Sequence, residues 1–203
     1  MAYEEMFGLP ASGKSTIAIE LSNQVIKVDN ESKITKVKGI FKILIFKPKL
    51  IFLSIYGLRF IGPKCSYVYW KGVFRLFFRY LECLKYSSNK SMFLLEEGIF
   101  QALWGVSFVL VYNDKSNEFI SRLSEAVLSD LKVCKVIIVN VEKKPWFTMY
   151  HNRNKPTRLD SVLDDDALVE NVFRWLSFVE GLICKFGIEK KIIVNSYENI
   201  NCR

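Results

Sequence analysis

The sequence predicts an α/β fold in which helices cover both faces of a parallel sheet of five strands. Short, continuous apolar runs such as 92–95 and 136–139 are typical of strands that are buried on both faces of a sheet. Longer segments with helical spacing of their apolar residues, such as 116–131, separate these runs along the chain. A glycine-containing loop between the first predicted strand and the first predicted helix is the third observation.

That loop, at residues 8–16, reads G-x-x-x-x-G-K-S-T. Gly8 and Gly13 let the backbone curl so that its N–H groups point inward at an anion, and a helix that begins near Gly13 adds its positive dipole end. Lys14 would add a mobile positive charge, and the hydroxyl of Ser15 is a ligand that Mg²⁺ accepts. The alternative is a capped turn beside an ordinary exposed lysine, but the flanking strand and helix favour phosphate binding. The candidate nucleotide-binding residues are Gly8, Ala11, Ser12, Gly13, Lys14, Ser15 and Thr16.

One predicted strand contains residues that do not suit a buried sheet. Glu4 and Glu5 lie in the first strand, where side chains on both faces are expected to be apolar. Either this strand is frayed at its start, or a carboxylate meets a basic partner inside the protein. The five predicted strands are 2–7, 25–28, 92–95, 133–141 and 191–194.

The helical segments include one with a regular row of cations. Lys71, Arg75 and Arg79 are spaced by four residues, which aligns them along one stripe of a helix. The stripe either faces water, which is the interpretation we prefer, or binds an anionic substrate. Segment 37–60 is expected to form two helices hinged at Pro48, because proline is tolerated in a first helical turn. The predicted helices are 14–24, 37–60, 67–86, 99–110, 116–131, 143–150 and 160–185.

Composition indicates a globular protein, since half of the 203 residues are hydrophobic and a quarter are charged. The net charge of +8 is concentrated in residues 27–90, where 14 Lys and Arg stand against three acidic residues. Such a localised charge indicates either an anionic partner or a solvated basic face.

The sequence favours a cytoplasmic protein, because no signal peptide is expected at its amino terminus. Five scattered cysteines without a C-x-x-C pair are typical of reduced, mostly buried thiols, and the single His151 excludes a histidine-rich metal site. The longest uncharged apolar stretch, 50–58, is too short to span a bilayer. We expect segment 37–60 to be buried in the core. The alternative is a helix on the surface of an anionic membrane.

Charged residues also follow two of the predicted elements. Glu96 and Glu97 come directly after strand 92–95, at the sheet edge where α/β proteins bind ligands. Arg153 and Arg158 lie in a polar loop after helix 143–150. The acids either act in a site or cap the next helix, and the arginines either act in a site or belong to a solvated loop.

The order of elements, together with loop 8–16, the acids in 94–98 and the basic loop 153–158, resembles the P-loop small-molecule kinases. This group includes the nucleoside monophosphate kinases and thymidylate kinase, and the resemblance covers essentially the whole chain. It implies the P-loop NTPase fold with strand order 2-3-1-4-5 and helices on both faces. The implied organisation is a single domain at 1–203, with an acceptor-binding helical region at 27–90 and a lid at 151–160.

The resemblance further implies transfer of the γ-phosphoryl group of ATP to a small, anionic acceptor, such as a nucleoside monophosphate or a sugar or cell-envelope precursor. ATP and Mg²⁺ would be the cofactors. Ser15 and Glu96 would hold the metal, and Arg153 would also bind the nucleotide. The implied catalytic residues are Lys14, Glu96, Glu97, Arg153 and Arg158. The implied substrate-binding residues are Arg75, Arg79, Glu97 and Gln101.

The chain also departs from the family pattern. Glu96-Glu97-Gly98 replaces the Asp-Arg-aromatic signature of true thymidylate kinases. The lack of N-K-x-D and of L-S-G-G-Q argues against a GTPase and a transporter ATPase. An ATPase or regulatory switch without a small-molecule acceptor, associated with a membrane or nucleic acid, is the alternative function. No aromatic-basic signature of single-strand binding favours nucleic acid as a partner.

Overall fold

The protein contains a single described sheet with helices on both of its faces. The computed structural model describes residues 3–21, 25–26, 39, 41–43, 45–62, 65–87, 93–152, 158–161 and 166–194. These residues form helices and one sheet whose strands all pair in parallel, so the predicted α/β class with a parallel sheet is confirmed.

The strand order is β2-β3-β1-β4-β5, which is the order that the family resemblance implied, and every pairing is parallel. The strands are β1 (Tyr3–Gly8), β2 (Val25–Ile26), β3 (Leu94–Leu95), β4 (Val133–Asn140) and β5 (Glu189–Val194). In the register of β1 with β3, Glu4 lies opposite Leu94 and Glu5 lies opposite Leu95. The carboxyl ends of these two strands are neighbours, so the segments that follow them meet at one edge of the sheet.

Seven α-helices have both of their ends within the described part of the chain. They are α1 (Lys14–Leu21), α2 (Pro48–Tyr56), α3 (Ser66–Ser87), α4 (Ile99–Ser107), α5 (Asp114–Leu128), α6 (Lys143–His151) and α7 (Asp166–Lys185). Short 3-10 helices occur at Gly57–Phe60 and Arg158–Ser161. Within the predicted helix 160–185, the described residues 160–161 are in a 3-10 helix and residues 166–185 form α7. Helix α2 begins at the predicted hinge, Pro48.

Helix α5 begins before its predicted start at residue 116 because of a capping box. The side chain of Asn113 accepts a hydrogen bond from the N–H of Ser116, and the hydroxyl of Ser116 accepts one from the N–H of Asn113. These two bonds satisfy backbone donors that a helix start otherwise leaves open, so the helix extends by one half-turn.

The side chains of β1 alternate between two cores, one on each face of the sheet. Tyr3 and Phe7 belong to the larger core, whereas Met6 packs with Ala18 of α1 in the smaller one. Because strand side chains alternate with a period of two, Glu5 shares the face of Tyr3 and Phe7. Its carboxylate therefore points into the larger core, where it is fully buried.

Segment 37–60 differs from its expected burial. Ile43 and Leu50 are buried in the larger core, as predicted. The prediction is wrong for most of the other apolar side chains, since seven large ones between Phe41 and Leu58 are exposed. Residues 41–43 and 45–46 are helical and precede α2, with Lys47 between them.

The structure also bears on the predicted state of the cysteines and on membrane-spanning helices. Cys65 and Cys83 are buried, Cys134 is half-buried and Cys184 is exposed, and none of these four forms a disulfide. Cys202 lies outside the described residues. None of the helices in the described ranges combines the length and the hydrophobicity needed to cross a bilayer.

Candidate functional site

The loop between β1 and α1 has a curled backbone that its glycines make possible. Gly8, Ala11 and Gly13 all have positive φ, at 153°, 64° and 84°. A β-carbon on Gly8 would lie 2.5 Å from the carbonyl oxygen of Val139 in β4, so only glycine fits there. Ala11 adopts the left-handed conformation at an energetic cost of about 1–2 kcal/mol relative to the right-handed one. The strain is confined to a single residue of the loop.

Lys14 is folded back over this loop. Its Nζ donates hydrogen bonds to the carbonyl oxygens of Gly8, at 2.9 Å, and Leu9, at 2.7 Å, and the side chain is buried. The ammonium group is therefore held at the start of the loop, at the carboxyl end of β1. A phosphate bound in the loop would therefore lie near the ammonium group of Lys14, as the sequence motif predicts.

Ser15 and Glu96 meet at the sheet edge. The Ser15 hydroxyl, in the first turn of α1, donates a hydrogen bond to Oε1 of Glu96, which follows β3. This contact exists because β1 and β3 are paired and their carboxyl ends are adjacent. A hydroxyl and a carboxylate beside a phosphate loop are the donor set that Mg²⁺ takes when phosphate oxygens and water supply its other ligands. No group of three or more His, Cys, Asp or Glu side chains forms a separate metal cluster within the described residues.

Glu97 is held by two arginines of α3. Arg75 forms an ion pair with Oε2 of Glu97, and Nη2 of Arg79 lies 3.4 Å from the same oxygen. Nη1 of Arg79 also binds Glu82 at 2.6 Å. The interpretation that these arginines face water is wrong, because α3 turns them towards the turn after β3. Lys71 does remain exposed, with its Nζ 4.3 Å from the centroid of the Tyr67 ring.

Gln101 connects α4 to the loop. Its Oε1 accepts a hydrogen bond from the backbone N–H of Gly8, at 3.2 Å, and the side chain is buried. The structure thus gives Gln101 a positioning contact with the first residue of the loop. Its contact with a substrate stays a prediction.

Two other predicted loop residues differ in exposure. Ser12 is buried, and its backbone N–H donates to the carbonyl oxygen of Leu9 at 3.3 Å, which closes the turn. Thr16 is exposed in the first turn of α1. Both therefore lie on the loop and the helix start that the motif predicts.

Glu5 is a feature of the site that the sequence signalled only as an anomaly. Its two carboxylate oxygens accept hydrogen bonds from the backbone N–H groups of Ile99, at 2.8 Å, and Phe100, at 2.7 Å. They cap the amino terminus of α4. Burial raises the pKa of Glu5 to about 7, although both N–H groups and the charge of Arg79 act in the opposite direction. The Glu5 carboxylate therefore lies inside the protein, but its hydrogen-bond partners are backbone N–H groups of α4 and not the basic side chain expected from the sequence.

Trp146 of α6 is a second contact that sequence reasoning missed. Its Nε1 donates a hydrogen bond to the carbonyl oxygen of Pro10 in the loop, at 2.7 Å, and the indole is fully buried. The ring packs against Phe147, Tyr150 and Phe173. The hydrogen bond therefore joins the outer part of the loop to α6, the helix that follows β4. No local sequence pattern reveals this contact, because the two residues are far apart in the chain.

The predicted lid at 151–160 lies partly outside the described residues. Arg153 and Lys155 are among the undescribed positions 153–157. Arg158 begins a 3-10 helix, but its side chain is not described. The roles of both arginines stay predictions.

Comparison with known proteins places the fold. No family model matches the chain, and no curated protein matches its sequence. The structure is similar to that of deoxyadenosine kinase from M. mycoides with the products dCMP and a flexible dCDP bound, with a TM-score of 0.55 at 16% identity over 97% of this chain and 91% of the kinase. The fold is therefore similar to that of this P-loop nucleoside kinase. The narrower resemblance to nucleoside monophosphate and thymidylate kinases is not confirmed by the comparison.

Two further structures of the same nucleoside kinase agree. The complex with dATP has a TM-score of 0.51 over 95% of this chain and 90% of the kinase. The complex with dCTP has a TM-score of 0.52 over 97% and 90% of the two chains. Both are 16% identical to this chain, so the likeness describes the fold over nearly the full length of both proteins.

Proposed function

We propose that this protein is an ATP-dependent phosphotransferase that moves the γ-phosphoryl group of ATP to a hydroxyl group of a nucleoside-type acceptor. The observation that carries the proposal is the contact between Ser15 and Glu96 beside loop 8–13. It joins a phosphate-binding loop to a metal-ligand pair at one sheet edge, which is what phosphoryl transfer requires. The deoxyadenosine kinase fold supports the same class of reaction.

The triphosphate would bind in loop 8–13. The loop N–H groups and the amino terminus of α1 would face its oxygens, and Lys14 would turn from the carbonyls of Gly8 and Leu9 to the phosphates. Ser15 and Glu96 would hold magnesium, which would neutralise charge on the phosphates. The protein therefore supplies mainly position and charge, not covalent chemistry.

The acceptor would bind next to Glu97. Arg75 and Arg79 hold this carboxylate beside Glu96, where it would accept a hydrogen bond from the attacking hydroxyl and orient it. The two arginines are matched by two carboxylates, Glu97 and Glu82. Because their charge is balanced, we favour an uncharged nucleoside as the acceptor over an anionic one that would need both arginines. Our proposal therefore replaces the anionic acceptor expected from the sequence.

Arg153 and Arg158 would complete the site as a lid over the γ-phosphate. Replacing both with alanine is expected to lower turnover far more than ATP affinity, because a lid stabilises charge in the transition state. Equal losses in both quantities would identify them as ground-state binding residues.

The central test is a transfer assay with γ-labelled ATP and Mg²⁺ over deoxynucleosides, nucleoside monophosphates and sugar phosphates, beside a reaction without acceptor. We expect labelled nucleoside monophosphate as the product. Labelled nucleoside diphosphate, or a sugar phosphate that has gained a labelled phosphoryl group, would instead keep the kinase activity and replace the proposed acceptor. Label released only as free phosphate, whatever the acceptor, would support the alternative of an ATPase or switch.

A further inference from the structure

The surface formed by residues 41–59 exposes an unusual amount of apolar area. Within the described residues, half of the exposed large hydrophobic side chains lie between positions 41 and 58. Phe46 is 75% exposed and Phe52 is 71% exposed. Apolar patches of this kind on a folded protein mark interaction sites. The members are Phe41, Ile45, Phe46, Phe52, Ile55, Tyr56 and Leu58.

Contacts on the inner side fix the orientation of this surface. Ile43 and Leu50 are both buried in the larger core, so the helical residues 41–43 and 45–46 and helix α2 each turn one side towards that core. Tyr69 of α3 donates a hydrogen bond to the carbonyl oxygen of Ser54 at 2.6 Å. With these contacts holding α2, helical spacing turns Phe52, Ile55 and Tyr56 outward.

The same surface carries only positive charge. Lys42, Lys49 and Arg59 are exposed on it, and no aspartate or glutamate occurs in residues 32–81. The guanidinium carbon of Arg59 lies 5.2 Å from the centroid of the Tyr56 ring, so a cation and an aromatic ring are presented together. Lys47 forms an ion pair with Asp130.

Helix α5, which packs against α2, carries the acidic residues Asp114, Glu118 and Glu125. Glu118 binds Arg122, and Glu125 binds Lys185 at 3.4 Å. Asp130, which follows α5, binds Lys47, so three of these four carboxylates are paired with cations other than Lys42, Lys49 and Arg59.

We propose that the 41–59 surface docks the protein on an anionic lipid bilayer, with its aromatic and aliphatic side chains in the headgroup region. A bilayer interface accepts both features at once, because phenylalanine and isoleucine enter the acyl boundary while lysine and arginine meet lipid phosphates. A second copy of the chain paired through this surface would set like charges against each other. Since no described helix spans a membrane, the docking is peripheral. The candidate site residues lie outside this surface, so the inference is independent of the proposed function.

The experiment is co-sedimentation of the full chain with vesicles of phosphatidylcholine alone and with added phosphatidylglycerol, at low and high salt. We expect binding to the anionic vesicles only, with a loss of binding as salt rises, because added ions screen the attraction. Lys49→Gln is expected to weaken partitioning about fivefold, and Phe52→Ser or Ile55→Ser about tenfold. Lys132→Gln and Val194→Ser are matched controls, since both residues are exposed elsewhere and should bind as the wild type does.

Several outcomes would overturn the inference. One is a wild-type protein that stays in the supernatant with anionic vesicles at low salt, and another is equal binding to neutral vesicles; neither depends on a variant that must fold. A third is wild-type binding by Lys49→Gln and by folded Phe52→Ser and Ile55→Ser, with folding checked by circular dichroism. A dimer in light scattering that Phe52→Ser dissociates, without vesicle binding, would assign the surface to a second copy.

Discussion

Gly98 lies so close to Glu5 that no side chain fits between them. A β-carbon on Gly98 would stand 2.7 Å from the β-carbon of Glu5 and would overlap its carboxylate. Glu5 in turn holds the N–H groups of Ile99 and Phe100. These contacts hold the turn that carries Glu96 and Glu97 against β1, the strand that leads into loop 8–13.

Gly98→Ala is expected to lower the free energy of unfolding by about 1–3 kcal/mol, because the β-carbon must displace a buried carboxylate or the turn itself. The measurement is urea unfolding. Gly181→Ala is the matched control: Gly181 is an exposed position in α7 with nothing within 4 Å of an added β-carbon, and alanine there should stabilise the helix by about 0.5–1 kcal/mol. Equal stabilities of the two variants would contradict the packing of Gly98 on Glu5.

The raised pKa of Glu5 predicts that stability depends on pH. The buried carboxyl titrates near pH 7 in the folded protein, against a reference pKa of 4.5, so the folded state binds more protons between these values. The free energy of unfolding should therefore fall as pH rises from 4.5 to 7, by up to about 3 kcal/mol from this group. Glu5→Gln should flatten this part of the profile. Glu125→Gln, at an exposed position on α5, is the control for losing one carboxylate. An unchanged slope in Glu5→Gln would reject the assignment.

Lys14→Ala should remove most ATP binding. The lysine would make charge-assisted hydrogen bonds to the phosphates, and their loss corresponds to an affinity about a hundredfold weaker. Calorimetric titration with ATP measures it, with the exposed Lys132→Ala as the control for removing one positive charge. If Lys14→Ala binds ATP as the wild type does, loop 8–16 is not a phosphate site.

Substitutions of Glu96 and Glu97 should change the Mg²⁺ dependence of activity in different ways. Glu96→Gln and Ser15→Ala are each expected to raise the Mg²⁺ concentration needed for half-maximal activity. Their double variant should lose less than the two effects added, because both residues serve one ion. Glu97→Gln should lower turnover without changing the Mg²⁺ requirement. The reverse pattern would exchange the two roles.

Trp146→Phe should weaken ATP binding several-fold while it retains most of the ring packing. It removes the hydrogen bond to Pro10, which is worth about 0.5–1.5 kcal/mol in holding the loop. Trp175→Phe is the control, because its Nε1 binds the carbonyl oxygen of Leu110 at 3.0 Å, in a different part of the core. Both variants should lose stability, but only the first should lose ATP affinity, as titration would show.

Much of the fold could be predicted because its signals are local. Continuous apolar runs predicted β4 and β3, and a G-x-x-x-x-G-K-S sequence predicted the loop whose backbone the structure shows curled at Gly8 and Gly13. Helix boundaries were less accurate. The start of α5 depends on a reciprocal pair of hydrogen bonds at Asn113 and Ser116, which hydrophobic spacing does not report.

The directions in which side chains face were predicted less accurately than the helices and strands. The row of Arg75 and Arg79 is compatible with water or with a site, and only the packing of α3 turns it towards Glu97. Segment 37–60 is apolar enough for a core, yet the core has room for Ile43 and Leu50 and leaves Phe46 and Phe52 exposed. Composition records how apolar a segment is, whereas burial depends on which neighbours are present to cover it.

The sequence by itself determined the glycine-containing loop after β1, the parallel sheet and the acids at the end of β3, because glycine conformations, strand periodicity and residue order are encoded locally. Only the tertiary structure decided that Glu5 caps α4, that Trp146 holds Pro10 and that two arginines face Glu97. Those contacts join residues far apart in the chain, and their partners are set by how the sheet and helices pack.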